Sequence, residues 1–330
     1  MNRPPTPETL PLVSIALTTY NGARYLAAQM ESLLAQSYPQ IEIVVSDDGS
    51  TDGTRELLAA YARQHPRIRV LEVNGNLGFN RNFARCFAAC RGELISPCDQ
   101  DDIWHPEKTW RLVQALGDAT LVYANSRYID SEGRPLQRQL SDEVRMVGGS
   151  DPRAFLFGNC VSGHAMLFHR SLVAAAGEFP PAVYFDWWLA FVAANVGRVA
   201  YLDEVLVDYR RHAQAVTFKP RGQDSAGRRL KALQIQTGRF EAMAGFAGPQ
   251  QGFIRELRAH WLAWYAGWLG WGLFRFVWQH ALILFQTSPK HRPAWHRASR
   301  FLIGHRLKRA LLPRGYLPLE EVSDLKRTAR

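Results

Sequence analysis

Val13-Ser14-Ile15-Ala16-Leu17, an apolar run, passes into Thr18-Thr19-Tyr20-Asn21-Gly22, a polar turn closed by glycine, and the pattern recurs downstream. From Leu12 to about Tyr123 short β-branched runs alternate with helical stretches. That is the signature of βαβ units and of an α/β sheet with helices on both faces. Strands are predicted at Val13–Leu17, Ile41–Val45, Ile68–Leu71, Leu94–Ser96 and Leu121–Tyr123. A helix with Leu26, Met30, Leu33 and Leu34 on one face lies between the first two and ends before Ser37-Tyr38-Pro39. A second, Asp52–Ala62, starts from the turn Gly49-Ser50-Thr51. Sheets of this kind bind ligands at the carboxyl ends of their strands, so the residues just beyond each strand are where chemistry is expected.

The second strand runs into Ser46-Asp47-Asp48-Gly49-Ser50-Thr51-Asp52-Gly53. Together with Thr18–Gly22 it sets polar side chains and glycine-permitted turns at one sheet edge, as a nucleoside pocket requires. An aspartate there can accept from the imide of uracil or thymine while Tyr20 stacks on the base. After the fourth strand comes Ser96-Pro97-Cys98-Asp99-Gln100-Asp101-Asp102-Ile103-Trp104. Three carboxylates within four residues repel one another, and a strand end tolerates them mainly beside a cation. Mg²⁺ or Mn²⁺, shared between one or two carboxylates and diphosphate oxygens, is the expected arrangement; EF-hand spacing is absent. The plainer readings are a helix N-cap turn for the first stretch and a solvated acidic turn for the second.

Residues 126–160 are polar and aperiodic and read as a long excursion or lid before a second block, about 160–218. That block carries a strand at Ala165–His169, a helix through Trp187–Ala194, and short strands around Val199–Leu202 and Val205–Tyr209. Within Tyr184-Phe185-Asp186-Trp187-Trp188-Leu189 the only acid is Asp186, whose flanking tryptophans would shield it and raise its pKa. In Tyr209-Arg210-Arg211-His212, arginine and histidine after a strand can clamp a diphosphate and join a metal's coordination sphere, and Arg211 and His212 are the candidates. His164, beside an apolar strand, is a candidate for the acceptor side or a packed residue.

Taken together, Thr18–Gly22, Ser46–Gly53, Asn76-Leu77-Gly78 with Arg81-Asn82, and Asp99-Gln100-Asp101-Asp102 resemble, in order and spacing, the family-two glycosyltransferases with the GT-A fold. The nearest look is to bacterial rhamnosyltransferase-like members, over roughly residues 10–215. The resemblance implies inverting transfer from a UDP- or dTDP-linked sugar to a hydroxyl of a cell-surface glycan or lipid-linked acceptor. It assigns Asp48 to the base, with Thr18, Tyr20 and Asn21 on the nucleotide, and Arg81 to steadying it. Asp99 then faces ribose or donor sugar, Asp101 the metal, and Asp186 acts as general base. Trp187, Trp188 and Arg211 fall on the acceptor or diphosphate side. Many relatives carry two adjacent acids where this chain has Phe185-Asp186, so the single aspartate must do the work. Sugar nucleotidyltransferases share the layout, but Thr18–Gly22 lacks their Gly-rich, Arg- and Lys-containing loop. A noncatalytic membrane- or nucleic-acid-binding protein on the same fold is the alternative from another class.

At 330 residues, 47% hydrophobic and 21% charged, the chain is foldable and not disordered by composition. Two parts are expected: a catalytic domain over 1–218 (nucleotide-binding 10–125, acceptor-side 126–218) and a basic, Trp-rich helical region over 219–330. Cysteines 86, 90, 98 and 160 show no CxxC pairing and read as reduced thiols, and no signal-like apolar segment opens the chain. A cytoplasmic protein is expected. The net charge of +10 is uneven: residues 1–218 hold 20 Lys+Arg against 24 Asp+Glu, and 219–330 hold 20 against 6. Residues 261–285 carry one charge, Arg275, and tryptophans 261, 264, 268, 271 and 278 are spaced for one helical stripe. An interfacial anchor on an anionic membrane through 261–314 is the favoured expectation, with domain packing or a homodimer interface as the other; nucleic acid is not expected as a partner.

Overall fold

The computed structural model describes residues 10–212, 225–288 and 293–304. They fall into two compact units, 1–215 with 286–290, and 216–285 with 291–330.

In unit one the order is β1 (Val13–Thr19), α1 (Ala23–Leu34), β2 (Ile41–Asp47), α2 (Thr54–Gln64), β3 (Ile68–Val70), α3 (Phe79–Ala89), β4 (Leu94–Cys98), β5 (Ile103–Trp104), α4 (Lys108–Leu116) and β6 (Leu121–Ile129). Then come β7 (Pro135–Gln139), α5 (Leu140–Glu143), β8 (Met166–His169), α6 (Ser171–Ala176), α7 (Phe185–Val196) and β9 (Val199–Arg210). The sheet runs β3-β2-β1-β4-β8-β6-β9-β5, with β7 paired to β6. Its first four strands are parallel, β8 joins antiparallel to β4 and β6, and β9 returns parallel to β6. Every residue of β1 is buried, as expected of a parallel strand covered on both faces. Leu26, Met30 and Leu33 of α1 and Leu58 of α2 complete one core layer with Ile15, Leu17 and Ile43. This is the expected mixed, mostly parallel GT-A-type sheet.

The order 3-2-1-4 means that connections leave β1 in opposite directions, so a crevice opens at the carboxyl ends of β1 and β4. Thr18–Gly22 and Asp99–Asp102 flank it.

Three sequence expectations change. The polar stretch from 126 is not all excursion: β6 continues to Ile129, because Asn125 and Ser126 are buried with hydrogen-bonding partners and the strand keeps pairing with β9. The two short strands after Val199 are one strand, its register shifting opposite Asn125. The tryptophans from 261 to 278 do not share one helix.

Unit two holds α8 (Ser225–Gly245), α9 (Gln251–Ala266), α10 (Trp271–Gln279), α11 (Ala281–Leu284) and α12 (Ala294–Ala298). α9 ends before Gly267, whose backbone is extended, and before α10 begins Gly270 passes so close to the Phe301 carbonyl that a Cβ would collide with it. Trp261 and Trp264 are buried with Phe240, Leu257 and Phe276, each indole N–H satisfied, by Thr237 Oγ1 and the Ile303 carbonyl respectively. Trp268, Trp271 and Trp278 face outward. Among the described residues no helix is long and apolar enough to cross a membrane. All four cysteines are free and buried.

Candidate nucleotide and metal site

The two turns beyond β1 and β2 are laced together. Thr19 Oγ1 donates to Asp47 Oδ2 (2.7 Å), the Asn21 amide to Ser50 Oγ (2.8 Å), the Thr51 amide to Asn21 Oδ1 (2.9 Å), and the Gly22 amide to Thr54 Oγ1 (2.9 Å). Asn21 sits at φ +49° and Gly49 at φ +86°, left-handed conformations that asparagine and glycine tolerate best. Tyr20 projects from this frame half-exposed, its backbone clamped by Gln100, which accepts from the Tyr20 amide and donates to its carbonyl. Thr18 is buried beside it.

Asp48 stands at the same edge, with both carboxylate oxygens facing amides: Leu77 N–H (2.6 Å) and Gly78 N–H (2.9 Å). It therefore fixes the Asn76-Leu77-Gly78 loop that leads into α3. Arg81, in the first turn of α3, is exposed, while Asn82 is buried and pairs twice with Ser46. Asn80 reaches the other way. Its Nδ2 donates to the Val183 carbonyl (2.7 Å) and its Oδ1 accepts from the Phe185 amide (3.1 Å), so it holds the start of α7.

The acidic loop divides into three environments. Asp99 is partly exposed toward the crevice. Asp101 Oδ2 lies 2.7 Å from His212 Nε2, the two residues being 111 positions apart in the chain. Asp102 is fully buried: Oδ1 accepts the Arg210 amide (2.9 Å), and Oδ2 has no hydrogen-bond partner but faces His164 Nδ1 at 3.6 Å. Burial, then the charges of Asp101 and Asp99, push the Asp102 carboxyl well above the usual carboxylate range.

Two donor groupings follow. Asp99, Asp102 and His164 place three ligand atoms within 4.8 Å of one another, and Asp101 pairs with His212. A cation that also binds diphosphate must meet the ligand in the crevice, and Asp102 has no exposed surface. Asp101 with His212 offers an oxygen and an imidazole donor to Mn²⁺ or Mg²⁺, as do Asp99 and His164 of the other grouping. His164, a candidate for the acceptor side or a packed residue, is buried, bonded to Ser126 Oγ (2.9 Å) and packed on the Tyr209 ring.

Two cations beneath the loop escaped the sequence reading. Arg210 is buried, donating Nε to the Asp101 carbonyl (2.8 Å) and Nη1 to those of Asp130 and Ser131, with its guanidinium over Tyr25. Its neighbour Arg211, the sequence candidate, is exposed and lies over the rings of Tyr128 and Tyr209. Lys108 is fully buried, its Nζ 3.1 Å from Ser96 Oγ and 2.9 Å from the Trp104 ring centroid, and burial holds its pKa well below the usual lysine value. Because Arg210 satisfies three carbonyls and opposes the loop's negative charge, Arg210→Ala should destabilise the fold by about 2–4 kcal/mol in urea titration, and Arg210→Lys should recover only part of it.

Asp186 opens α7, its Oδ1 accepting the Trp187 amide at 2.7 Å. Its carboxyl is pushed up to about 7, chiefly by burial and secondarily by the charge of Asp99, against the lowering effect of backbone amides. Trp187 sends its indole N–H to the Phe155 carbonyl (2.6 Å). Trp188 is a correction: it is buried, donates to the Ala176 carbonyl and stacks on Phe191, so it belongs to the core and not to an acceptor pocket.

A polar nucleoside-type turn and an acid–imidazole pair at the carboxyl ends of the strands of an α/β sheet suit a nucleotide ligand. Residues 14–175 match the family described as Glycosyl transferase family 2. An uncharacterized glycosyltransferase of Nostoc sp. is 30% identical over 212 residues, 61% of this chain and 65% of that protein; the chain thus spans less than two thirds of its length. Among solved structures, Staphylococcus aureus TarS 1–349 in complex with UDP-GlcNAc aligns with a TM-score of 0.56 at 16% identity, covering 88% of this chain and 80% of that one. The mannosyltransferase PcManGT from Pyrobaculum calidifontis, in complex with GDP-Man and Mn²⁺, aligns at 0.55 and 19%, covering 90% and 81%. These likenesses show the GT-A fold.

Proposed function

We propose that this chain is an inverting glycosyltransferase that moves a hexose or deoxyhexose from a UDP- or dTDP-linked donor to a hydroxyl of a cell-surface glycan or lipid-linked acceptor, in the cytoplasm. The observation that carries the reading is one crevice in which Asp101 meets His212 while Asp186, at the start of α7, is kept near neutrality by burial and the charge of Asp99. The nucleotide sugars and Mn²⁺ held by fold neighbours support it by analogy of fold.

In this reading Tyr20 stacks on the base and Asp48 with the Leu77–Gly78 loop shapes the nucleoside pocket. Asp99 faces ribose or sugar, Arg81 steadies the phosphates, and Asp101 and His212 hold a divalent ion, which would neutralise the departing diphosphate. Asp186 takes the proton of the acceptor hydroxyl as its oxygen bonds to the anomeric carbon. The carbon–oxygen bond to the diphosphate breaks on the opposite face, its electron pair leaving with the phosphate, and the configuration inverts. Arg211 and Trp187 line the acceptor or diphosphate side.

A thermal-shift panel of nucleoside diphosphates and nucleotide sugars tests the binding half. One of the uridine or thymidine compounds should raise the midpoint by roughly 5–10 °C at a hundredfold excess over its Kd, and only with Mn²⁺ or Mg²⁺ present. No shift with any nucleotide would overturn the donor assignment.

A further inference from the structure

Unit two contains two populations of tryptophan with different chemistry. Trp261 and Trp264 close its core and have their N–H groups satisfied. The others form an outward surface. On α10, Trp271, Phe274 and Trp278 repeat at i, i+3 and i+7; the first pair of rings meets edge to face and the second tilted, with centroids 6.0 and 5.8 Å apart. Trp271 is 63% exposed, and on either side of α10 in the chain Leu269 (61%), Leu282 (87%) and half-exposed Trp268 also face outward. The core does not need these side chains, and adjacent exposed apolar groups of this size mark an interaction surface.

Charge decides the partner. From 257 to 319 the sequence has no Asp or Glu among 63 residues, and ten Lys or Arg. Arg275 is exposed on α10 itself, between Phe274 and Trp278. A second copy docking through this face would set the two Arg275 guanidiniums against a helix, α10, that carries no acid to answer them. Nucleic acid would answer the arginines but gives Leu269 and Leu282 nothing to bury against. An anionic bilayer answers both, because indole rings settle at the headgroup level, leucines enter the acyl boundary and basic residues meet phosphate. At nine residues α10 spans only about 13 Å, far short of the hydrocarbon core, so it lies on the surface and does not cross it.

We propose that the α10 face of unit two docks on an anionic phospholipid surface through Trp271, Phe274, Trp278, Leu269 and Leu282, with Arg275 on the headgroups. The inference stands independently of sugar transfer in unit one.

The test is flotation of the full chain with vesicles of phosphatidylcholine plus phosphatidylglycerol, against phosphatidylcholine alone. The chain should float with the anionic vesicles, less so at high salt, and Trp271→Glu/Trp278→Glu should lower partitioning by on the order of tenfold or more while leaving the circular dichroism spectrum unchanged. Arg275→Glu, which leaves the apolar face intact, should weaken binding to anionic vesicles alone. Equal flotation of wild type and double variant would overturn the proposal. So would a wild type that ignores vesicles but forms a dimer split by the double variant, or one that instead binds DNA.

Discussion

Asp186→Asn should lower the rate of sugar transfer by about 10²–10⁴-fold while leaving metal-dependent nucleotide binding intact, if Asp186 is the proposed base. Asparagine keeps the size of the side chain and can still accept the Trp187 amide, so α7 should start as before. Only proton acceptance is lost. The pH dependence has a determined sign: the base works as carboxylate, and its pKa is about 7, so transfer by the wild type should rise through pH 7 and level off above it. Stability moves oppositely. An aspartate whose folded pKa lies above its unfolded value is held at a penalty that is absent below the unfolded value, grows as pH rises, and is complete above about 7. The Asn variant should therefore gain thermal stability over wild type between pH 4 and pH 7 and keep that gain at pH 8. A flat pH–rate profile, or a variant with full turnover, would remove Asp186 from the mechanism.

Asp101→Ala should abolish metal-dependent donor binding, with nucleotide affinity in Mn²⁺ falling by on the order of 100-fold. Asp101→Ala leaves His212 without its carboxylate partner, and His212→Ala should reproduce the loss in part. Asp102→Ala is the informative control. Asp102 is buried, and its Oδ1 holds the backbone of Arg210, so its removal should show in unfolding before it shows in nucleotide affinity. If Asp102→Ala and Asp101→Ala instead exchange these effects, the cation belongs to the Asp99, Asp102 and His164 grouping.

Much of this arrangement was legible in the sequence wherever the chemistry is local. The β-branched runs of β1 and β2, the left-handed turn at Gly49 and the acids after β4 announce themselves within a few residues, and the parallel order brings those turns to one edge. What lay hidden depends on contacts across the chain. Nothing nearby distinguishes Arg210 from Arg211, yet Arg210, the last residue of β9, is buried against Asp101, and Arg211, just beyond the strand, is exposed. Trp188 reads as an aromatic beside a candidate base, but the helix turns it into the core while Asp186 stays at the helix start. Asn80, which ties the first turn of α3 to the start of α7, sits 105 positions from Phe185 and carries no local signal. The tail misled through its spacing: three, four, three and seven suit one helix, but the backbone turns extended at Gly267 and α10 starts anew at Trp271.

Metal-dependent release of nucleoside diphosphate from a panel of nucleotide sugars, with glycan and lipid-linked acceptors supplied, tests the central proposal most directly. At least one donor should be turned over with Mn²⁺ or Mg²⁺, giving a product of inverted anomeric configuration, and turnover should vanish in Asp101→Ala and Asp186→Asn. A folded protein that releases no nucleoside diphosphate from any donor in the panel, or a product of retained configuration, would contradict it.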